Sequence, residues 1–158
     1  MQRVTPCLWF DGDAEAAAER YIALVPDSRI VRVTRAKAET PSGPAGMALT
    51  VEFILAGSEF LALNGGPMYR FTEAVSFQIS CEDQAEVDRL WDALSNGGTP
   101  GRCGWLKDRW GLSWQIVPRR LPQLIGGSDP VRAQRAMQAM LTMQKIDIAA
   151  LERAADGV

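Results

Sequence analysis

Glu52, Asp108 and Cys103 are the side chains best suited to act as base or nucleophile in this chain, and no imidazole assists them. Histidine is absent from all 158 residues. That removes the side chain that most readily changes charge near neutral pH and most often ligates a metal. Cys103 would react only with a depressed pKa. No Ser-x-x-Lys or Gly-x-Ser-x-Gly signature marks an activated serine. Cys7, Cys81 and Cys103 are odd in number, widely spaced and without a Cys-x-x-Cys pair. They fit reduced, small apolar residues better than a zinc site.

A second chemistry needs only neutral polar groups. Residues 75–81 alternate, placing Ser76, Gln78 and Ser80 on one face of a strand and apolar side chains on the other. Ser113 and Gln115 share a face opposite Leu112, Trp114 and Ile116, and Ala62 and Asn64 share one on an earlier strand. Asn64, Ser76, Gln78 and Gln115 either present amides and hydroxyls to a small polar ligand or satisfy one another across a filled core. Trp9, Trp105, Trp110 and Trp114 divide between stacking surface and core. Trp105, which alternates with Cys103 and Lys107, is the preferred aromatic wall of a ligand site, and Trp114 belongs to the core. Lys107, Asp108 and Arg109 lie at a hairpin, where Asp108 supports the turn.

The elements that must position these residues come twice in the same order. Residues 4–10 read as a strand, Asp13 as a cap, and residues 14–24 as a helix stopped at Pro26. Strands follow at 29–35, 47–56 and 59–64, the last two joined by a glycine-first hairpin at Gly57-Ser58. The pattern then restarts. Residues 74–81 form a strand, Asp83 a cap and 85–94 a helix ended by Asn96-Gly97-Gly98. Strands at 102–107 and 112–117 complete the second set, with one strand weak or replaced by a loop. This predicts a duplicated βαβββ unit, an α+β architecture whose two curved sheets face a shared concavity. Module one covers about residues 1–66 and module two about 74–118, with helices over about 119–156. In that helical part Asp129-Pro130 starts a helix, Asp147 caps a last short one, and Ala133, Ala136, Met137, Met140 and Leu141 share a face as core or subunit contact.

Composition excludes several functions. Hydrophobic residues make up 47% and charged residues 23%, an ordinary globular balance. A net charge of −2 offers no basic footprint for nucleic acid. No apolar run approaches the roughly 20 residues of a membrane span. The first residues lack a signal peptide's apolar stretch, so the expected compartment is the cytoplasm.

Four segments carry a family resemblance. They are Thr5-Pro6-Cys7-Leu8-Trp9-Phe10-Asp11-Gly12-Asp13-Ala14-Glu15, Leu63-Asn64-Gly65-Gly66, Cys81-Glu82-Asp83-Gln84-Ala85-Glu86-Val87-Asp88, and residues 103–118. They resemble the PhnB-like, glyoxalase/bleomycin-resistance-like branch of the vicinal oxygen chelate superfamily, often labelled 3-demethylubiquinone-9 3-methyltransferase. Residues 139–148 look like that branch's C-terminal extension. The resemblance implies paired βαβββ modules and a homodimer. Its enzymes take metal ligands from strand positions that correspond here to Pro6, Ala62, Ser76 and Gln115, the first three to within one residue. Proline and alanine offer no donor, and serine and glutamine offer weak ones. The expectation is therefore no metal and no cofactor. The glycine pairs 65–66, 97–98 and 126–127 end strands or helices rather than open a nucleotide-binding loop, which argues against methyl transfer. The leading expectation is a homodimer binding a small organic molecule in a metal-free sheet cavity, at Asn64, Ser76, Gln78, Trp105 and Gln115. The alternatives are an enzyme of the same superfamily, lyase- or isomerase-like or a methyltransferase, and a structural protein with a filled cavity.

Overall fold

A helix lies close against a sheet when its inward stripe is small, and the first helix of this chain is built that way. The computed structural model describes residues 3–158. The first of its two compact units ends at Phe71 and the second begins at Thr72. In the first unit, β1 (Cys7–Phe10), α1 (Ala14–Leu24), β2 (Arg29–Arg35), β3 (Ala48–Leu55) and β4 (Ser58–Asn64) follow in sequence. Ala14, Ala17, Ala18 and Tyr21 form the buried stripe of α1. It packs on a sheet of order β1-β4-β3-β2, in which β1 and β4 are parallel and the other pairs antiparallel. Leu8, Phe10, Val51, Phe53, Phe60 and Ala62 fill the helix side. The Phe53 and Phe60 rings stack at 5.3 Å. Each large side chain so buried contributes about 1.5–3 kcal/mol.

The second unit repeats this order. Its elements are β5 (Ser76–Cys81), α2 (Gln84–Ser95), β6 (Thr99–Pro100), β7 (Trp105–Lys107) and β8 (Ser113–Pro118), with a sheet of order β5-β8-β7-β6. The weak strand expected from the sequence is the two-residue β6. Val87, Leu90, Trp91 and Leu94 of α2 are buried, as their spacing predicts. Asp83 caps α2 by accepting from the Glu86 amide, while the Glu86 carboxylate accepts from the Glu82 amide. The arrangement is close to a capping box, except that the Glu86 carboxylate reaches the amide one residue before the cap. The chain is thus α+β, with paired βαβββ modules.

Three helices complete the second unit: α3 (Arg120–Ile125), α4 (Pro130–Thr142) and α5 (Ile148–Asp156). Asp129 and Asp147 cap α4 and α5 through their side chains, and Pro130 takes the first helical position. Val117, Leu121, Leu124, Ala136, Ile146, Leu151 and Ala155 form a buried cluster. The apolar face of α4 is rotated from the one expected. Ala136, Ala139 and Met140 pack inward, whereas Met137 and Leu141 are exposed. Gln84 fastens this helical part to α2, donating to the Ile146 carbonyl and accepting from the Ile148 amide. Among the described residues, no helix is long and apolar enough to cross a membrane.

Local backbone chemistry sets several element ends. The strand expected at 102–107 starts only at Trp105, because Cys103 and Gly104 have φ of +57° and +82°. Their amides donate to the Met143 and Gln144 carbonyls instead of to a strand. In the first unit the β3–β4 turn falls on Ala56 and Gly57, one residue earlier than expected. Leu55 pairs with Ser58, and the turn residues have φ of +46° and +81°. Two positive φ values make a type I′ turn rather than the glycine-first kind. Glycine occupies the second position freely, but alanine at the first carries left-handed strain. Ala56→Gly should therefore raise stability by roughly 0.5–1 kcal/mol in urea unfolding, with the slope unchanged.

Candidate functional site

Because α2 seals one face of the second sheet, side chains of opposite parity form the other. Ser76, Gln78 and Ser80 alternate with Phe77, Ile79 and Cys81, and the Phe77 ring meets Trp114, a core residue, at 5.9 Å. Strand pairing assembles the polar face into rows. Gln78, Gln115 and Trp105 are in register across β5, β8 and β7, and Ser76, Ser113 and Lys107 form the neighbouring row. Side chains in such rows sit about 4.8 Å apart. Gln115 Nε2 donates to Ser76 Oγ at 2.9 Å, so the two polar groups partly satisfy each other. Gln78 is exposed, while Trp105, Ser76 and Gln115 are half-buried.

Two members of this face carry signals that sequence reasoning passed over. Ser113 is 1% exposed and its Oγ has no hydrogen-bond partner among the described residues. Lys107 Nζ donates to Glu73 at 2.5 Å. That hydrogen bond, reinforced by the ammonium's charge, holds the exposed Glu73 carboxyl below the usual carboxylate range. The alternation that joined Ser113 to Gln115, and Lys107 to Trp105, already placed both residues on this face.

Asn64 sits elsewhere. Its side chain is 1% exposed on the α1 side of the first sheet. Its Oδ1 accepts from the Ala14 amide and its Nδ2 donates to the Ala48 carbonyl. Both halves of the amide are committed to the fold. Asn64 thus satisfies the first amide of α1, and no side-chain capping bond from Asp13, the expected cap, starts this helix. Asp108 is likewise structural. Its Oδ1 accepts from the Trp110 and Leu112 amides and its Oδ2 from Trp114 Nε1. It supports the turn as expected and, in addition, anchors a core indole.

The remaining aromatic and acidic candidates are also held. Trp9 Nε1 donates to the Gly66 carbonyl, and Tyr69 meets the indole edge-on at 4.9 Å. The indole lies so close over Gly65 that a Cβ there would fall 2.2 Å from its carbons. Arg109 lies over the Trp110 ring at 5.8 Å, within cation–π range. On the open side of the first sheet, Arg29, Glu52, Ile54, Glu59 and Leu61 line a cleft of about 530 Å³. Arg32 hydrogen-bonds the Glu52 carboxylate, so this candidate base is ion-paired.

The positions corresponding to metal ligands fare poorly on chemistry. Pro6 has no donor, Ser76 and Gln115 bond each other, and the Ala62 methyl is buried on the helix side. Cys7 and Leu61, one residue along, are paired in register. Leucine there supplies no ligand. Among the described residues, no group of three His, Cys, Asp or Glu side chains is placed to hold a metal ion. The thiols are unpaired. Burial, aided by the Glu86 charge, pushes the Cys81 thiol up to about 12. Desolvation raises Cys7 as well.

Comparison with known proteins adds a family. Residues 2–117 match the model for 3-demethylubiquinone-9 3-methyltransferase. The PhnB protein of Bacillus cereus, which bears the same methyltransferase label, is 31% identical. The match covers 74% of this chain and 99% of that one, with a TM-score of 0.69. Protein PA1353 from Pseudomonas aeruginosa, at 16% identity, shares the fold with a TM-score of 0.62 over 75% of this chain and 98% of its own. No curated protein matches the chain. Helices α3–α5 lie beyond the residues the family model matches.

Two outcomes follow from the buried groups. Asn64→Ala strands the Ala14 amide and the Ala48 carbonyl, and should cost about 2–3 kcal/mol in denaturant unfolding. With a maleimide at pH 8, Cys81 should label only after unfolding, since its thiolate is scarce and buried.

Proposed function

The chain belongs to the PhnB-like 3-demethylubiquinone-9 3-methyltransferase family, and on that footing we propose that it binds a small organic molecule without a metal. The binding surface is the polar face of the second sheet. One observation carries the reading: Ser76, Gln78, Trp105 and Gln115, four of the five residues expected from strand alternation and the family resemblance, fall in two neighbouring rows of a face that α2 leaves open. The row holding Gln78, Gln115 and Trp105 supplies amide donors and acceptors beside an indole plane. That combination suits a ligand with a flat apolar part and a polar edge. Asn64 takes no part in this surface, because both ends of its amide are used within the first unit.

The chemistry of the donor set supports metal-free binding. A hydroxyl and an amide bonded to each other, with proline and alanine at the other corresponding positions, are a poor match for any divalent cation. Methyl transfer finds no support in the sheets either. Each is mixed, with a single parallel pair, whereas a typical S-adenosylmethionine domain is built on a parallel sheet. The three unpaired thiols suit the reducing cytoplasm. The functional assembly is a homodimer, as the family resemblance implies, and light scattering should return twice the chain mass.

The test is a thermal-shift screen of metabolites together with native mass spectrometry. A ligand that raises the midpoint should bind at least tenfold more weakly to Trp105→Ala and several-fold more weakly to Gln78→Leu. Purification with nickel, zinc or manganese present should leave less than one metal per chain. Stoichiometric metal would overturn the metal-free reading. The absence of any ligand shift would favour a structural protein.

A further inference from the structure

The row that flanks the proposed binding surface consists of hydrogen-bond donors. Ser76 Oγ accepts from Gln115 Nε2, which leaves its own hydroxyl proton to donate. Ser113 Oγ is buried on β8, between Ser76 on β5 and Lys107 on β7, without a partner among the described residues. A buried hydroxyl left unsatisfied is destabilising, so one retained beside an ammonium calls for a partner. Lys107 adds a positive charge and three N–H donors. Two hydroxyls and an ammonium, on strands about 4.8 Å apart, have the spacing and the sign to receive an oxyanion.

A carboxylate already occupies part of this place. The Glu73 oxygen lies 2.5 Å from Lys107 Nζ, while the Glu73 side chain stays 63% exposed. A solvent-exposed ion pair of this kind is weak, so an incoming anion can displace it. Glu73 demonstrates that the ammonium accepts a carboxylate geometry, and it leaves the Ser113 hydroxyl unmet.

We propose that Ser76, Ser113 and Lys107 form an oxyanion subsite that receives the carboxylate or phosphate group of the bound molecule, with Glu73 as the resident competitor. The proposal deepens the binding reading above and rests on the same sheet face. The ligand is then an organic acid or phosphate ester. Its anionic end lies on the serine–lysine row, and its flat part lies on the row of Trp105, Gln78 and Gln115.

The experiment is a heteronuclear NMR titration of the full chain with sodium phosphate and, separately, sodium acetate, against sodium chloride at equal ionic strength. Shift changes should centre on residues 76, 107 and 113 in the phosphate or acetate series and be absent from the chloride series. A larger response to phosphate assigns the subsite to phosphate esters, and a larger response to acetate assigns it to carboxylates. Ser113→Ala should weaken binding of the preferred anion about tenfold or more while its unfolding midpoint stays equal or rises, since a buried unsatisfied hydroxyl has been removed. Glu73→Gln should tighten binding about two- to fivefold. Unchanged affinity in Ser113→Ala, weaker binding in Glu73→Gln, or shifts centred elsewhere would overturn the subsite. If anions fail while a neutral metabolite still binds beside Trp105, the anion assignment falls and the binding surface stands.

Discussion

One helix covers one face of each sheet, and that constraint sorts nearly every side chain in the two modules. Strand alternation makes the sorting strict, because a residue at even spacing from a core position must also point to the helix. In the second unit Phe77, Ile79 and Cys81 meet the helix side with Trp114 and Ile116, so Ser76, Gln78, Ser113 and Gln115 are left opposite. Polar residues on the open face need no internal partner where water reaches them, and Ser113, buried there, is the exception. Polar residues on the sealed face do, and they are few.

Those few are the joints of the fold. Asn64 ties the end of β4 to the start of α1 and to β3 with a single side-chain amide. Asp108 gathers three N–H groups and thereby binds the β7–β8 hairpin to Trp114. Each replaces a bond that regular structure leaves unmade, one at a helix start and one in a turn. Chemically versatile side chains are consumed as fasteners, which is why their presence in the sequence overstates the catalytic equipment. The absence of histidine points the same way. Glu52 is ion-paired, Asp108 holds backbone and Cys81 is buried, while Cys7 is exposed and Cys103 is partly buried.

Much of this architecture was legible because its signals are local. The alanine stripe and Pro26 bound α1 to the residue, and Asp83, Asp129 and Asp147 mark real helix starts. Alternation alone brought Ser76, Gln78 and Gln115 together. It failed at Asn64 because a period of two separates the faces of a strand without saying which one is sealed. The Ala62–Asn64 parity faces the helix, and the Ser76–Gln78 parity does not. Asp13 does stand at the N-cap of α1, but its side chain makes no capping bond, and the side chain that meets the first helical amide comes from 50 residues away. The start of β7 was misplaced because the carbonyls that recruit Cys103 and Gly104 belong to residues 143 and 144. Long-range bonds of this sort leave no trace in a window of ten residues.

The strand β2 has a further consequence. It closes one side of the first sheet, so its outer row of amides and carbonyls faces no neighbouring strand within its unit. Such an edge is a template on which another chain can polymerise. Here the register shifts twice, between Ile30 and Arg32 and again between Thr34 and Arg35. A bulged edge is bent and overtwisted, and it offers no straight ladder to copy. Arg29 adds a charge that a second identical edge would have to approach, and Arg32 and Arg35 bring bulky ion pairs with Glu52 and Glu15. The irregularity that exposes Val31 thus acts as a guard against fibrillar self-association, built into the strand with the weakest alternation.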